Sequence, residues 1–415
     1  MSPESLVPFC WPPAWTDPAL LRLFAAGPFN CLLFDRLTDA EPIATAARAA
    51  GLTVFESNAL PAQVNAIAGL AWPRIKLSSS GRSNEVEAGP TGAPWIDSNS
   101  WVARLAAVRT PDKPVWLGFQ AAKGDPIPTE SAYQIAIADS AAAGARWMVS
   151  LDDGLSHGLA SANADALKTW RSILSTLAFF EKHRAWAAWQ PWGSVGILST
   201  FAGKNEFLGQ EVLNLAARRN LLYRVLDRAL PAGLNLEGLR GVLYVDSDPP
   251  AAALKEQLET FSKAGGLLIV PRTLASLFPL GKPTSCPVNG YDLRPLGKGS
   301  VAAATRDWDD PYFLAADVHN LVSRRHDPVR LFNARSLWEH YSVSPDGGRA
   351  LLQLVAFTSR PVDSVSVAPA RPWRQMALHL IGSESPTPLE PVNVDGRMEL
   401  QLPPFSYYGA VEFRS

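Results

Sequence analysis

Residues 239–272, LRGVLYVDSDPPAAALKEQLETFSKAGGLLIVPR, read as strand, helix, strand. Leu243, Tyr244 and Val245 lie in an apolar run that suits a strand buried on both faces. Pro249 and Pro250 suit the opening of a helix, whose first turn has amides without intrahelical partners. Leu254, Leu258 and Phe261 recur at helical spacing, and Gly265-Gly266 supply a stop where a positive φ is needed. Residues 267–270 form the next apolar run. So short a crossover requires a parallel strand pair.

Working outward, the 415 residues exceed one ordinary core, so two or three domains are expected. A net charge of -1 offers no electrostatic basis for binding nucleic acid or an anionic membrane. No run of about 18 apolar residues predicts a membrane span. Cys10, Cys31 and Cys286 are too few and too widely spaced for a disulfide framework or a zinc site, and HExxH and CxxC are absent. No metal and no cofactor are expected. No basic segment followed by an apolar one marks a leader, so the sequence as written reads as cytoplasmic. A removed leader would make it periplasmic or secreted.

Residues 1–190 repeat a strand-then-helix pattern. Strands are expected at 6–11, 29–35, 52–56, 74–78, 94–97, 114–120 and 145–152, with helices between them, including one at 61–68. Seven or eight such units predict a (β/α)8-type barrel, incomplete or with one degenerate unit. An open doubly wound sheet is the competing arrangement, but no Gly-rich nucleotide turn follows the first strand.

Barrel chemistry belongs to the C-terminal ends of the strands. Alternation in 146–153, RWMVSLDD, turns Val149 and Leu151 outward and Met148, Ser150 and Asp152 inward. In 114–120, PVWLGFQ, it turns Trp116, Gly118 and Gln120 inward. The same rule sends Lys76, Trp95 and Asp97 inward, while Asp35 and Glu56 end their strands with ambiguous faces. Carboxylates beside flat aromatics suit saccharide chemistry, because glycosidic hydrolysis needs one protonated and one ionised carboxyl. The candidate catalytic residues are Glu56 or Glu85 as acid/base and Asp152 or Asp97 as nucleophile or base. Trp11, Asp35, Lys76, Trp95, Trp116, Gln120 and Asp153 are candidate substrate-binding residues. Acidic residues after strands also cap helices, which is the competing role for each of them. His157 reads as a solvated loop residue.

Residues 191–284 alternate strands and helices as a small flavodoxin-like α/β unit. Its strand–helix turn, YVDSDPP, lacks the cysteine a glutaminase needs, so a packing role is expected. Residues 285–415 turn to short alternating runs separated by Pro and Gly, which predicts a β-sandwich. The polar stretch with Asp309, Asp310, His319 and His326 reads as a solvated linker before it.

This series resembles beta-galactosidases in which a barrel is followed by a glutaminase-like trimerisation domain and a β-sandwich. The residues carrying the resemblance are 239–272 and the closing MELQLPPFSYYGAVEF. It implies a glycoside hydrolase with an oligosaccharide or glycoside substrate, and a homo-oligomer formed partly through the middle domain. The family places an Asn-Glu pair after the fourth strand and a Glu after the seventh. Here Asn84-Glu85 falls in a Ser/Gly-rich loop, and Gln120 stands where the nucleophilic Glu would be. An amide cannot form a glycosyl ester. Either other carboxylates act, or the chain is a catalytically degenerate carbohydrate-binding or scaffold protein.

Overall fold

The computed structural model describes residues 2–75, 96–119, 129–230, 234–322, 326–334, 336–358 and 360–415. It is a mixed α/β protein of several sheets. Strands β1 (Pro8–Cys10), β2 (Cys31–Phe34), β3 (Thr53–Glu56) and β4 (Asn65–Leu70) come first, with helix α1 (Glu41–Ala49) between β2 and β3. Then follow β5 (Arg74–Ile75), β6 (Ile96–Asp97), α2 (Ser100–Arg109), β7 (Val115–Phe119), α3 (Glu130–Ala142) and β8 (Arg146–Met148). Helices α4 (Asp153–Ala160) and α5 (Ala164–Lys182) close this part.

β1, β2 and β3 form one parallel set, and β4, β7 and β8 another. A parallel bridge between Phe9 and Val149 joins them, with the Cys10 N–H donating to Val149 O at 2.8 Å. The strands therefore run in the order β3-β2-β1-β8-β7-β4. The expected arrangement is a (β/α)8-type barrel, incomplete or with one degenerate unit; among the described residues six parallel strands form an arc that no pairing closes between β3 and β4. Two readings need correction. The helix expected at 61–68 is partly strand β4, drawn into the sheet by β7. Of the strands expected at 74–78 and 94–97, the described residues 74–75 and 96–97 form the short antiparallel pair β5–β6 and do not join the parallel arc.

In β7 and β8 alternation sorts the side chains as expected. Leu32, Phe34, Val115, Leu117, Trp147 and Val149 share a core with α3 and α5. On the other face, Cys31, Leu33, Trp116 and Met148 pack together, with Cys10 and Phe55 beside them. That face of the arc is apolar as well.

The middle sheet uses β10 (Val195–Ser199), β11 (Tyr223–Asp227), β12 (Gly241–Tyr244), β13 (Leu267–Val270), β14 (Tyr291–Leu296) and β15 (Gly299–Ala304), after the short β9 (Gln190–Pro191). Its order is β11-β10-β12-β13-β15-β14, parallel except for the edge strand β14. Helices α6 (Glu206–Arg218), α7 (Ala252–Lys263) and α8 (Pro311–Val322) accompany it. The unit β12–α7–β13 is the stretch quoted at the outset: Gly265 takes φ +123° after α7, and Gly241 to Leu243 run parallel with Leu267 to Ile269. β14 and β15 lie beyond residue 284 yet hydrogen-bond into this sheet. The stretch expected as a solvated linker contains α8, whose Leu314, Ala315, Val318 and His319 are buried.

The C-terminal part is antiparallel. It comprises β16 (Val329–Phe332), β17 (Leu337–Val343), β18 (Arg349–Ala356), β19 (Ser366–Pro369), β20 (Gln375–Leu380), β21 (Thr387–Pro388), β22 (Val392–Val394), β23 (Arg397–Gln401) and β24 (Tyr408–Arg414). The sheets β16-β19-β23-β22 and β21-β20-β24-β18-β17-β9 share a core of Val329, Val367 and Leu400 with Leu352, Leu378 and Val411. A further core links all three parts through Ile135 and Ala138, Val212 and Ala216, and Leu351 and Tyr408.

Candidate functional site

The C-terminal end of β8 leads directly into a polar concavity. It is a groove of about 460 Å³, lined by Glu130 and Tyr133 of α3, by Asp152, His157 and Ser161 around α4, and by Asn163, Asp165 and Thr169 of the α5 start. Three helices meet here because each has its buried face against the parallel arc. Their N-terminal ends and the turn after β8 are left facing outward.

Asp152 is the N-cap of α4. Its Oδ1 accepts from the Leu155 N–H at 3.0 Å, satisfying one of the free amides of the first turn. Its Oδ2 accepts from the Tyr133 hydroxyl at 2.8 Å, and its own N–H donates back to that hydroxyl at 2.9 Å. Burial pushes the Tyr133 phenol up, so it stays a neutral donor. Asn163 caps α5 in the same manner, accepting from Asp165 and Ala166.

Of the residues singled out from sequence, Asp152 lines the groove and Asp153 is exposed next to it. Glu56 does not line it. Its Oε1 accepts from the Leu37 N–H at 2.8 Å, tying the turn after β2, and two strands separate β3 from β8. Asp35 is exposed at the end of β2, close enough to Cys10 to add to the burial that pushes that thiol up to about 12. Asp97 is half-buried in β6, paired across from Arg74. Trp11 and Trp116 are 4% and 0% exposed, so neither offers a ring face to a ligand. Trp11 stacks on Phe34 and edges onto Trp15 instead, and Trp116 fills the inner face of the arc. Lys76, Glu85, Trp95 and Gln120 lie outside the described residues.

Sequence reading missed Tyr133, Glu130 and Asp165. They sit on helices, where a period of 3.6 residues marks a buried stripe but not which strand end the polar flank overhangs. His157, expected in a solvated loop, is exposed on α4 and lines the groove.

A second polar cluster sits at the C-terminal ends of β10 and β12. Asp246 accepts from Ser199 Oγ at 2.5 Å and the Thr200 N–H at 3.0 Å, and pairs with Arg228 at 3.1 Å. These groups satisfy one another. Among the described residues no group of three or more His, Cys, Asp or Glu could hold a metal ion, and no helix is long and apolar enough to cross a membrane.

No family model matches the chain, and no curated protein matches it in sequence. Solved structures do match. The alpha-L-fucosidase isoenzyme 2 from Paenibacillus thiaminolyticus aligns with a TM-score of 0.53 at 13% identity, over 96% of this chain and 80% of that one. The fold resembles that of a glycoside hydrolase. The beta-galactosidase from Rahnella sp. R3 aligns at TM-score 0.49 and 10% identity, over 91% of this chain and 66% of that one. The beta-galactosidase from Halorubrum lacusprofundi aligns at 0.45 and 14%, over 90% and 65%. At such identities the likeness is one of fold.

Proposed function

We propose that the chain is a glycoside hydrolase acting on a carbohydrate in the groove at the end of β8. One observation carries this reading: three carboxylates, Glu130, Asp152 and Asp165, line one open groove of saccharide size between α3, α4 and α5, beside the turn that follows β8, on a glycosidase-like fold. Asp152 is the candidate nucleophile or base. Glu130, which also lines the groove, and Glu85 of the 76–95 stretch are its candidate partners as general acid. Glu56 and Asp97, candidates from sequence, have less support because neither lines the groove. Carboxylate oxygens and the imidazole of His157 also suit hydrogen bonding to sugar hydroxyls.

The proposal extends to the architecture. We take residues 1–190 as an incomplete (β/α)8-type barrel, the part from 191 as a glutaminase-like α/β domain, and the C-terminal part as a β-sandwich. The pairing of β14 and β15 supports drawing the second boundary beyond residue 304 rather than at 284. A homo-oligomer through the middle domain belongs to the same proposal, testable by light scattering.

The test of activity is a panel of nitrophenyl glycosides with wild type, Asp152→Asn, Glu130→Gln and Glu85→Gln. Asparagine is as good an N-cap as aspartate, so Asp152→Asn keeps the cap of α4 while removing the ionisable group and the acceptor of the Tyr133 hydroxyl. The expected result is turnover by wild type and a loss of at least about a hundredfold in Asp152→Asn. Equal rates in the two proteins would reject the assignment of Asp152. A second reading is a carbohydrate-binding protein without turnover. It is favoured by the engagement of both Asp152 oxygens with internal donors. Glycan binding with no released sugar from wild type would select it.

A further inference from the structure

Far from the groove, at the other end of α5, two of the chain's six histidines stand ring to ring. His183 follows the last turn of α5, and His379 belongs to β20. Their ring centroids are 5.0 Å apart at an interplanar angle of 84°. His183 is stacked on Trp186 at 4.0 Å, and Phe179 lies 4.8 Å away. Trp186 in turn meets His379 edge-on at 5.2 Å. A small cavity of about 60 Å³ opens beside them, lined by Phe179, Lys182, His183, His379 and residues 383–386. This seam joins the last helix of the N-terminal part to the C-terminal sheet.

We infer that the His183–His379 contact is an acid-released clasp holding the C-terminal end of α5 on β20. The charged groups around it determine the direction. On α5 itself, Lys182 donates to Glu384 O at 3.0 Å, and Glu181 is engaged by Arg146 and, at 3.9 Å, by Arg184. From β24 comes Glu412, already shared by His379 at 3.3 Å, Arg414 at 3.1 Å and Arg349 of β18 at 3.8 Å. Glu412 is held down at about 2, first by its bond to His379 and then by Arg414, so it stays ionised through the range in which His183 titrates. A proton arriving on His379 therefore meets a carboxylate. A proton arriving on His183 meets an aromatic cage, the neighbouring imidazole and the Lys182 ammonium.

Burial first, and then the charges of His379 and Lys182, lower His183 from 6.5 to about 4. The sign follows from linkage. The closed seam binds fewer protons than the open one between those two values, so the clasp holds above pH about 6.5 and weakens as pH falls toward 4. The clasp does not depend on the carbohydrate reading.

The test is hydrogen exchange of the full chain at about pH 7 and about pH 4.5, corrected for the intrinsic pH dependence of exchange. Segments 176–186 and 375–386 are expected to open about tenfold more readily at the lower pH, a one-unit share of the linkage. His183→Phe keeps a ring between Trp186 and Phe179 but removes the titration, and its exchange there is expected to be independent of pH. An equal rise in His183→Phe overturns the clasp. Should that variant fold poorly, the imidazole resonances of wild type decide. His183, assigned by its contact with the Trp186 ring, titrating near pH 4 supports the inference, and His183 titrating above pH about 6 refutes it.

Discussion

Tyr133 and Asp152 exchange two hydrogen bonds: the phenol donates to the carboxylate at 2.8 Å and accepts from the Asp152 backbone N–H at 2.9 Å. One hydroxyl thus fixes both the side chain and the main chain at the turn between β8 and α4. Tyr133 is 1% exposed, so water does not readily replace it.

Tyr133→Phe should therefore leave a buried amide and one carboxylate oxygen without their partner. A destabilisation of about 1–3 kcal/mol is expected, read by urea unfolding. If the groove binds saccharide, the variant also loses affinity through a displaced Asp152.

Asp152 separates capping from chemistry. Asp152→Asn keeps the N-cap of α4 but puts an amide NH2 where Oδ2 accepts the buried Tyr133 hydroxyl, at an expected cost of about 1–3 kcal/mol, and Asp152→Ala is expected to cost about 1 kcal/mol more by removing the cap as well. Thermal unfolding of both variants checks this. Equal losses would mean that the cap adds nothing beyond the Tyr133 contact.

Arg109 of α2 reaches into the middle sheet. Its Nε donates to Asp227 Oδ2 at 2.7 Å and its Nη2 to Thr200 O at 2.9 Å, while Asp227 is 1% exposed. Arg109→Ala removes the donor to Oδ2 and leaves the Ala229 N–H on Oδ1, at 2.9 Å. Because the arginine is itself partly exposed, a loss of about 1–3 kcal/mol is expected rather than the larger figure for a fully buried pair. Denaturant titration of the variant measures it.

Gly299 opens β15 against the end of α7. A β-carbon there would stand 2.2 Å from Gly266 O and 2.4 Å from Ser262 O, both backbone atoms. Gly299→Ala must push α7 from the sheet and is expected to cost at least about 1–3 kcal/mol, as overpacking does. A variant as stable as wild type would show that α7 can shift freely.

The unit β12–α7–β13 was legible because everything it needs lies within 34 consecutive residues: two apolar runs, a helical stripe and a Gly-Gly stop. β4 was not. Its NAIAGL suits a helix as well as a strand, and what makes it a strand is pairing with β7, some fifty residues on. The antiparallel pairing of β5 with β6 and the recruitment of β14 and β15 to the middle sheet are equally nonlocal. Asp152 could be picked by extending strand alternation past Met148, where β8 ends, and its partner Tyr133 belongs to α3 and the outer core. Glu130, Tyr133 and Asp165 could not, since a helix can present a polar residue in any direction until its buried face is docked.

What the sequence by itself determined was the alternation of elements, the inner and outer faces of the best strands, and the absence of nucleotide and metal motifs. Those depend on periods of two or 3.6 residues and on short spacings. Only the tertiary structure decided that Trp11 and Trp116 are buried, that Asp152 and not Glu56 lines the groove, and that His183 meets His379. Each of these is a contact between residues far apart in the chain, and no local period carries the direction from which a distant side chain arrives.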